Sequence, residues 1–157
     1  MSTPNAITVC FFLGGAAHSA FRLARVRTQL AAIDAALEPL ASHWVYEVSS
    51  TAPLTADAKA RLGTLLDAQE VSALPAAPDL LYVTPRVGTR SPWSSKATDI
   101  ARHCGLVEVE RVERGVRWEL GGLHAGQRAA AAALLHDRMT ESVREALGET
   151  TPGAAPI

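Results

Sequence analysis

Residues 7–13 form a short, almost wholly apolar run containing Val9, Phe11 and Phe12, stopped by Gly14 and Gly15. That is the pattern of a buried strand. From Ser19 the spacing changes. Leu23, Val26, Leu30, Ile33 and Leu37 recur at three and four positions, while Arg22, Arg25 and Gln29 fall outside that stripe. The spacing predicts an amphipathic helix that Pro39 brings to an end. Trp44, Tyr46 and Val48 alternate with Val45 and Glu47 and predict a half-buried strand. Thr55 is placed to cap a second helix carrying Leu62, Leu65 and Leu66. Residues 76–79 read as a loop and 80–84 as a third strand.

A loop rich in Gly, Ser and Pro over residues 85–94 precedes a third helix that runs to about Cys104, with Ala97, Ile100 and Cys104 facing inward. Val107 and Val109 alternate with Glu108 and Glu110, and Glu113-Arg114-Gly115 reads as a turn into Val116, Trp118 and Leu120, which predicts a hairpin. A last helix over residues 125–147 offers Leu135, Met139, Val143 and Leu147 to the core, and its five consecutive alanines favour helix.

The order strand, helix, strand or hairpin, helix occurs twice. Val45-Tyr46-Glu47-Val48 resembles Arg117-Trp118-Glu119-Leu120, 72 positions on, and Leu65-Leu66-Asp67 resembles Leu134-Leu135-His136, 69 positions on. The strand and helix starting at Ile7 and Ser19 mirror those starting at Leu81 and Ser95. The identities are short, so the repeated element order carries more weight than they do. Two fused copies would give a two-layer α+β domain, an apolar sheet face under a layer of helices. Pattern alone leaves open whether the two sheets merge.

Length and composition narrow the classes. A chain of 157 residues, 48% of them hydrophobic, suffices for one compact domain or two small units sharing a core. Fifteen basic residues against sixteen acidic leave a net charge of −1, without the basic excess that phosphate neutralisation demands. Cys10 and Cys104 make neither a disulfide framework nor a zinc spacing, which fits a reducing compartment. The longest bulky apolar run, residues 9–13, falls far short of the ~20 residues that span a bilayer. No basic stretch precedes it, so a signal peptide is not expected. The expectation is a cytoplasmic, globular protein with neither nucleic acid nor membrane as partner. Residues 148–157 read as a flexible tail or the start of a linker.

The densest polar stretch lies between Arg86 and His103, where Arg86, Arg90, Lys96 and Arg102 face one acid, Asp99, for a local charge of +3. Ser94 or Ser95 would cap the helix there, and basic side chains beside exposed backbone N–H groups are one way to make an anion site. The plainer alternative is a capped helix behind a solvated loop. Trp93 must either stack on something or bury itself. The glycine spacing of a P-loop is absent.

Other candidates dissolve on geometry. His103 and Cys104 point ~100° apart on a helix and cannot act as base and nucleophile. The same separation divides His136 from Asp137, expected to be solvated helix residues. Cys10 and Cys104 read as small buried hydrophobes. His18, His43 and His124 stand alone at element ends, where capping is the ordinary role, and no pair of histidines has metal-ligand spacing. Arg22, Arg25 and Arg27 form a basic face that is either solvated or docked on another part of a larger protein. Glu108, Glu110 and Glu113 suit the wet face of a strand. No complete catalytic set emerges.

Four stretches together resemble one family. Thr84-Pro85-Arg86, Gly88-Thr89 and Ser91-Pro92-Trp93-Ser94-Ser95-Lys96-Ala97-Thr98-Asp99-Ile100-Ala101 make the longest match. Cys104-Gly105-Leu106 with Arg111, Glu113, Arg114 and Gly115 follows, then Leu135-His136-Asp137-Arg138-Met139-Thr140-Glu141, with Ser19-Ala20-Phe21-Arg22 near the start. The chain resembles the N-terminal domain of the large, single-chain phosphoribosylformylglycinamidine synthase of purine biosynthesis, over residues 7–147. It departs from the family pattern at Val87, Leu13 and Ala16.

The resemblance implies a fold and a role. The fold expected is α+β, a two-layer pair of duplicated ferredoxin-like units resembling a fused dimer of the family's small subunit. Residues 1–147 would form the domain, with repeats at about 5–75 and 78–147. The parent enzyme is an ATP-dependent, glutamine-using amidoligase. ATP and magnesium belong to its synthetase domain and the Cys–His–Glu triad to its glutaminase domain, so the resemblance implies no cofactor, metal or catalytic residue in this chain. Its partners would be those two domains. Arg86, Thr89, Ser91, Trp93, Ser94, Ser95, Lys96, Thr98 and Asp99 are the candidates for interdomain or substrate-side contact. Two rivals are a stand-alone adaptor joining separate synthetase and glutaminase chains, and a small-molecule regulatory module.

Overall fold

The computed structural model describes residues 7–86 and 88–148. Its elements are β1 (Thr8–Ala16), α1 (Ala20–Leu30), β2 (Glu38–Ser50), α2 (Ala56–Leu66), β3 (Ala68–Val71), β4 (Leu80–Pro85), α3 (Pro92–His103), β5 (Val109–Gly121), α4 (Arg128–Leu135) and β6 (Glu141–Arg144). The fold is α+β, with four helices and one six-stranded antiparallel sheet in the order β3-β1-β2-β5-β4-β6. The two sheets left open by the sequence are therefore one, joined along the long β2–β5 pair.

All four helices lie on one face of that sheet. Phe12, Tyr46, Val48 and Val112 pack with Leu62 of α2 and Ala101 of α3. Leu81, Val83, Trp118 and Leu120 pack with Leu30 of α1 and Ala131 of α4. Trp118 stands opposite Ser42, and Val48 opposite Val112, so both clusters share a face. Each cluster mixes residues from the first and second halves of the chain. The halves are thus interleaved, and neither has a core of its own.

The opposite face is partly covered by chain leaving the two edge strands. Leu74, after β3, and Leu147, after β6, exchange backbone hydrogen bonds of 2.9 and 2.8 Å. Both are buried there with Phe11, Val45 and Tyr82.

Several elements differ from the sequence expectation, each for a local reason. α1 ends at Leu30 instead of near Pro39, because Asp34 accepts the backbone N–H of Ala36 at 2.8 Å and turns the chain. Pro39 is buried inside β2. The short edge strand β3 has no apolar alternation to betray it. The expected hairpin at residues 113–115 is a single 13-residue strand, β5. Gly115 serves close approach instead of a turn: a Cβ there would lie 2.6 Å from the Val83 carbonyl oxygen.

The expected last helix over 125–147 is divided. A 3-10 turn at Ala125–Gln127 leads into α4, which stops at Leu135. Asp137 then takes over the backbone. Its Oδ1 accepts from Met139 N–H at 2.8 Å, and its carbonyl accepts from Thr140 and Glu141. Met139, expected in the core, is 78% exposed, while Leu147 is buried on the other sheet face. Ile100, also expected inward, is 48% exposed, because α3 buries Ser94, Thr98 and Ala101 instead. Val107 precedes β5 and is exposed, while Val109 is buried. Of the expected tail, residues 149–157 lie outside the described residues.

Candidate functional site

The polar stretch 86–99 wraps the start of α3. Its cap is neither Ser94 nor Ser95 but Ser91, whose Oγ accepts from Ser94 N–H at 3.0 Å, with Pro92 as the first helical residue. Proline suits that position because its missing N–H would have had no helical partner. The same Ser91 hydroxyl donates to Glu113 Oε1 at 3.3 Å. Glu113 also receives Arg111 Nε at 2.7 Å.

Ser94 and Thr98 point inward. β4 pairs with β5 only from Val116 to Glu119, which leaves the earlier part of β5 without a strand on that side. Ser94 Oγ donates to the Val112 carbonyl at 2.6 Å, and Thr98 Oγ1 accepts from Val112 N–H at 3.0 Å. Thr98 Oγ1 in turn donates to the Ser94 carbonyl at 2.7 Å. Arg90 donates to the Glu110 carbonyl, one step further along, at 3.1 Å. Helix α3 thereby supplies the hydrogen bonds that a neighbouring strand would have made.

The nine sequence candidates therefore separate. Ser91, Ser94 and Thr98 are engaged inside the domain. Thr89 folds its own loop, with Oγ1 donating to the Arg86 carbonyl at 2.6 Å. Arg86 is exposed and reaches the Arg138 carbonyl at 3.4 Å. Ser95, Lys96 and Asp99 lie exposed along the outer side of α3. Beside Lys96 a narrow groove of about 220 Å³ runs between α2 and α3, lined by Leu65, Leu66, Trp93, Ala97 and Ile100. Leu65 and Ile100 are 45% and 48% exposed.

Trp93 satisfies both alternatives left by the sequence: it is half-buried and it stacks. The Arg114 guanidinium lies 4.1 Å from the Trp44 ring centroid and 4.4 Å from that of Trp93. Tyr46 sits 5.9 Å from Trp93. Burial pushes Arg114 below the usual guanidinium range, opposed by Tyr46, whose phenol burial pushes upward. A cavity of about 500 Å³ opens beside this stack. On its other side His18 stacks on Trp118 at 4.7 Å and its Nδ1 lies 2.9 Å from Ser42 Oγ. Burial, then the charge of Arg22, holds the His18 imidazole below its ordinary range. Arg114 and His18 were not singled out as site residues by sequence. The available signal for Arg114 was its place in the same phase as Val112, Val116 and Trp118, within the block that matches the family, and none marked His18.

The remaining candidates are accounted for locally. His18 and His43 do not cap elements; His43 lies within β2. His124 does precede the 3-10 turn, and its N–H is taken by Gln127 Oε1 at 3.2 Å. His136 and Asp137 lie at and beyond the end of α4, not along it. Cys10 and Cys104 are half-buried, and burial, then Glu70, pushes the Cys10 thiol up, away from thiolate reactivity. Of the basic face on α1, Arg27 pairs with Glu38 at 3.0 Å. Among the described residues no helix is long and apolar enough to cross a membrane, and no cluster of His, Cys, Asp or Glu is set to hold a metal ion.

Fold and site together define an α+β domain on one antiparallel sheet, with an aromatic and cationic surface where its third helix begins. A family model for the formylglycinamide ribonucleotide amidotransferase N-terminal domain matches residues 43–151, and the chain belongs to that family. This is the synthase of the sequence resemblance under its amidotransferase name, and it gives the chain a role in purine biosynthesis.

Proposed function

We propose that this chain is the docking and coupling domain of an ATP- and glutamine-dependent phosphoribosylformylglycinamidine synthase. It holds the synthetase and glutaminase domains in a relation that lets ammonia released by one be used by the other, and performs no chemistry itself. The observation that carries this reading is the outer side of α3. Among the described residues, Lys96, Asp99 and the groove edge at Leu65 and Ile100 have no internal task, while their motif neighbours Ser94 and Thr98 do. An apolar centre with a charged rim suits contact with a neighbouring domain. The contact falls near the substrate cleft of the synthetase domain in this reading.

The experiment is Arg86→Ala with Lys96→Ala in the complete enzyme. Glutamine-dependent turnover should fall while turnover with supplied ammonium is retained better. Unchanged glutamine-dependent rate and substrate KM would remove the proposal.

We also infer that the two β-α-β-α-β halves are copies, each a ferredoxin-like unit, within one domain over residues 1–147. The helix caps Ser19 and Ser91 are 72 positions apart, as are Thr55 and Gln127 and the strand starts Thr8 and Leu80. The sheet order reads the same from either edge when each half is numbered separately. Both features support descent from a dimer of a smaller subunit.

A further inference from the structure

We propose that the cavity beside Arg114 receives a carboxylate group, held in the plane of the guanidinium between Trp44 and Trp93. Two indole rings lie against that guanidinium, their centroids 4.1 and 4.4 Å from its central carbon, so they hold it in place while its N–H groups, which lie in the guanidinium plane, stay available to bond. Among the described residues nothing accepts from them. The acid on the cavity wall, Glu141, has its Oε1 on the Asp137 N–H, and the sequence neighbour Glu113 is taken by Arg111 and Ser91. A half-buried arginine ordinarily finds an acid, because removing its charge from water is costly. Here the place of the acid is a cavity of about 500 Å³, walled further by Ser91, Thr140 and His18. That volume exceeds a single ion and falls within the range of small-ligand sites.

The class of anion follows from charge and shape. Arg90, the other cation on the wall, is turned to the Glu110 carbonyl, and Glu141 brings a negative charge. His18 is held toward its neutral form. One available positive charge presented as a planar fork matches a planar monoanion better than a phosphate dianion. The carboxylate belongs either to a free small molecule or to an aspartate or glutamate side chain of a neighbouring protein segment. The site does not depend on docking through the α2/α3 groove, so either proposal can fail alone.

Two of the three tryptophans flank Arg114, so tryptophan fluorescence of the 157-residue chain reports on it directly. The chain is titrated at constant ionic strength with succinate, with a capped glutamyl peptide, with inorganic phosphate and with chloride. The expected result is a saturable change with a carboxylate, absent with chloride and weaker with phosphate. Arg114→Gln should weaken it about tenfold or more, the loss expected for a charge-assisted hydrogen-bonded pair. Arg114→Lys should weaken it as well, although the charge remains, and this variant decides the matter should the glutamine variant fail to fold. Saturation by succinate identifies a free ligand as the source, and saturation by the peptide alone a protein side chain. No saturable response to either carboxylate, tighter binding of phosphate, or a lysine variant that binds like the parent would overturn the proposal.

Discussion

Replacing Thr98 by valine isolates the part of the 86–99 motif that works inside the domain. Valine keeps the branched shape and removes only the hydroxyl. Thr98 is 4% exposed, and its Oγ1 is the partner of Val112 N–H at 3.0 Å, on the side of β5 that faces away from β2 and that β4 does not reach. The N–H would then be stranded out of reach of water, at a cost of about 1–3 kcal/mol. The hydroxyl's second bond, to the Ser94 carbonyl at 2.7 Å, is lost as well. With a urea m-value of about 1–3 kcal/mol/M, a loss near 2 kcal/mol moves the unfolding midpoint by about 1 M. Ser95→Ala, on the exposed side of the same helix, should stay within about 0.5 kcal/mol of the parent. Urea unfolding followed by tryptophan fluorescence checks both. A Thr98→Val midpoint equal to that of Ser95→Ala would refute the assignment of Thr98 to holding the β5 edge.

Three further outcomes are expected. Gly115→Ala brings a Cβ to 2.6 Å from the backbone oxygen of Val83, so β4 must shift, and thermal unfolding should register a loss of about 1–3 kcal/mol. His18 has its pKa lowered by burial first and by Arg22 second, so the unfolded chain binds the proton more readily. Its contribution is therefore intact above the unfolded value near 6.5 and declines as the pH falls below it; urea midpoints at pH 5.5 and 7.5 should differ less in His18→Gln than in the parent. Residues 1–77 alone should give no cooperative unfolding transition, because both helix-side cores draw on both halves, and mixing with residues 78–157 should restore one. A cooperative transition in either fragment by itself would contradict the interleaved core.

Strands and helices whose apolar positions repeat cleanly were legible in the sequence. β2 declared itself through Trp44, Tyr46 and Val48, and α2 through the Thr55 cap and Leu62. The misread boundaries share one cause, local side-chain bonding that outweighs periodicity. Asp34 ends α1 before Ile33 and Leu37 can extend it, and Asp137 ends α4 before Met139. Gly115 looked like a turn because sequence does not show that a neighbouring strand lies against it. The 86–99 stretch was marked by its composition, but its division into inward and outward residues was not. That division depends on β4 stopping short beside β5, a tertiary fact that makes two small polar residues, Ser94 and Thr98, the buried side of a helix. The Arg114 stack brings together β2, β5 and α3, which no local pattern connects.

The docking account rests on the α2/α3 side of the domain, and amide hydrogen exchange tests it most directly. Exchange is compared between the 157-residue chain alone and the same residues within the complete amidotransferase. The account predicts slower exchange within the enzyme for segments covering residues 62–66 and 86–100, with the α1/α4 side little changed. Protection confined to α1 and α4, or exchange over 86–100 that is the same in both, would contradict it.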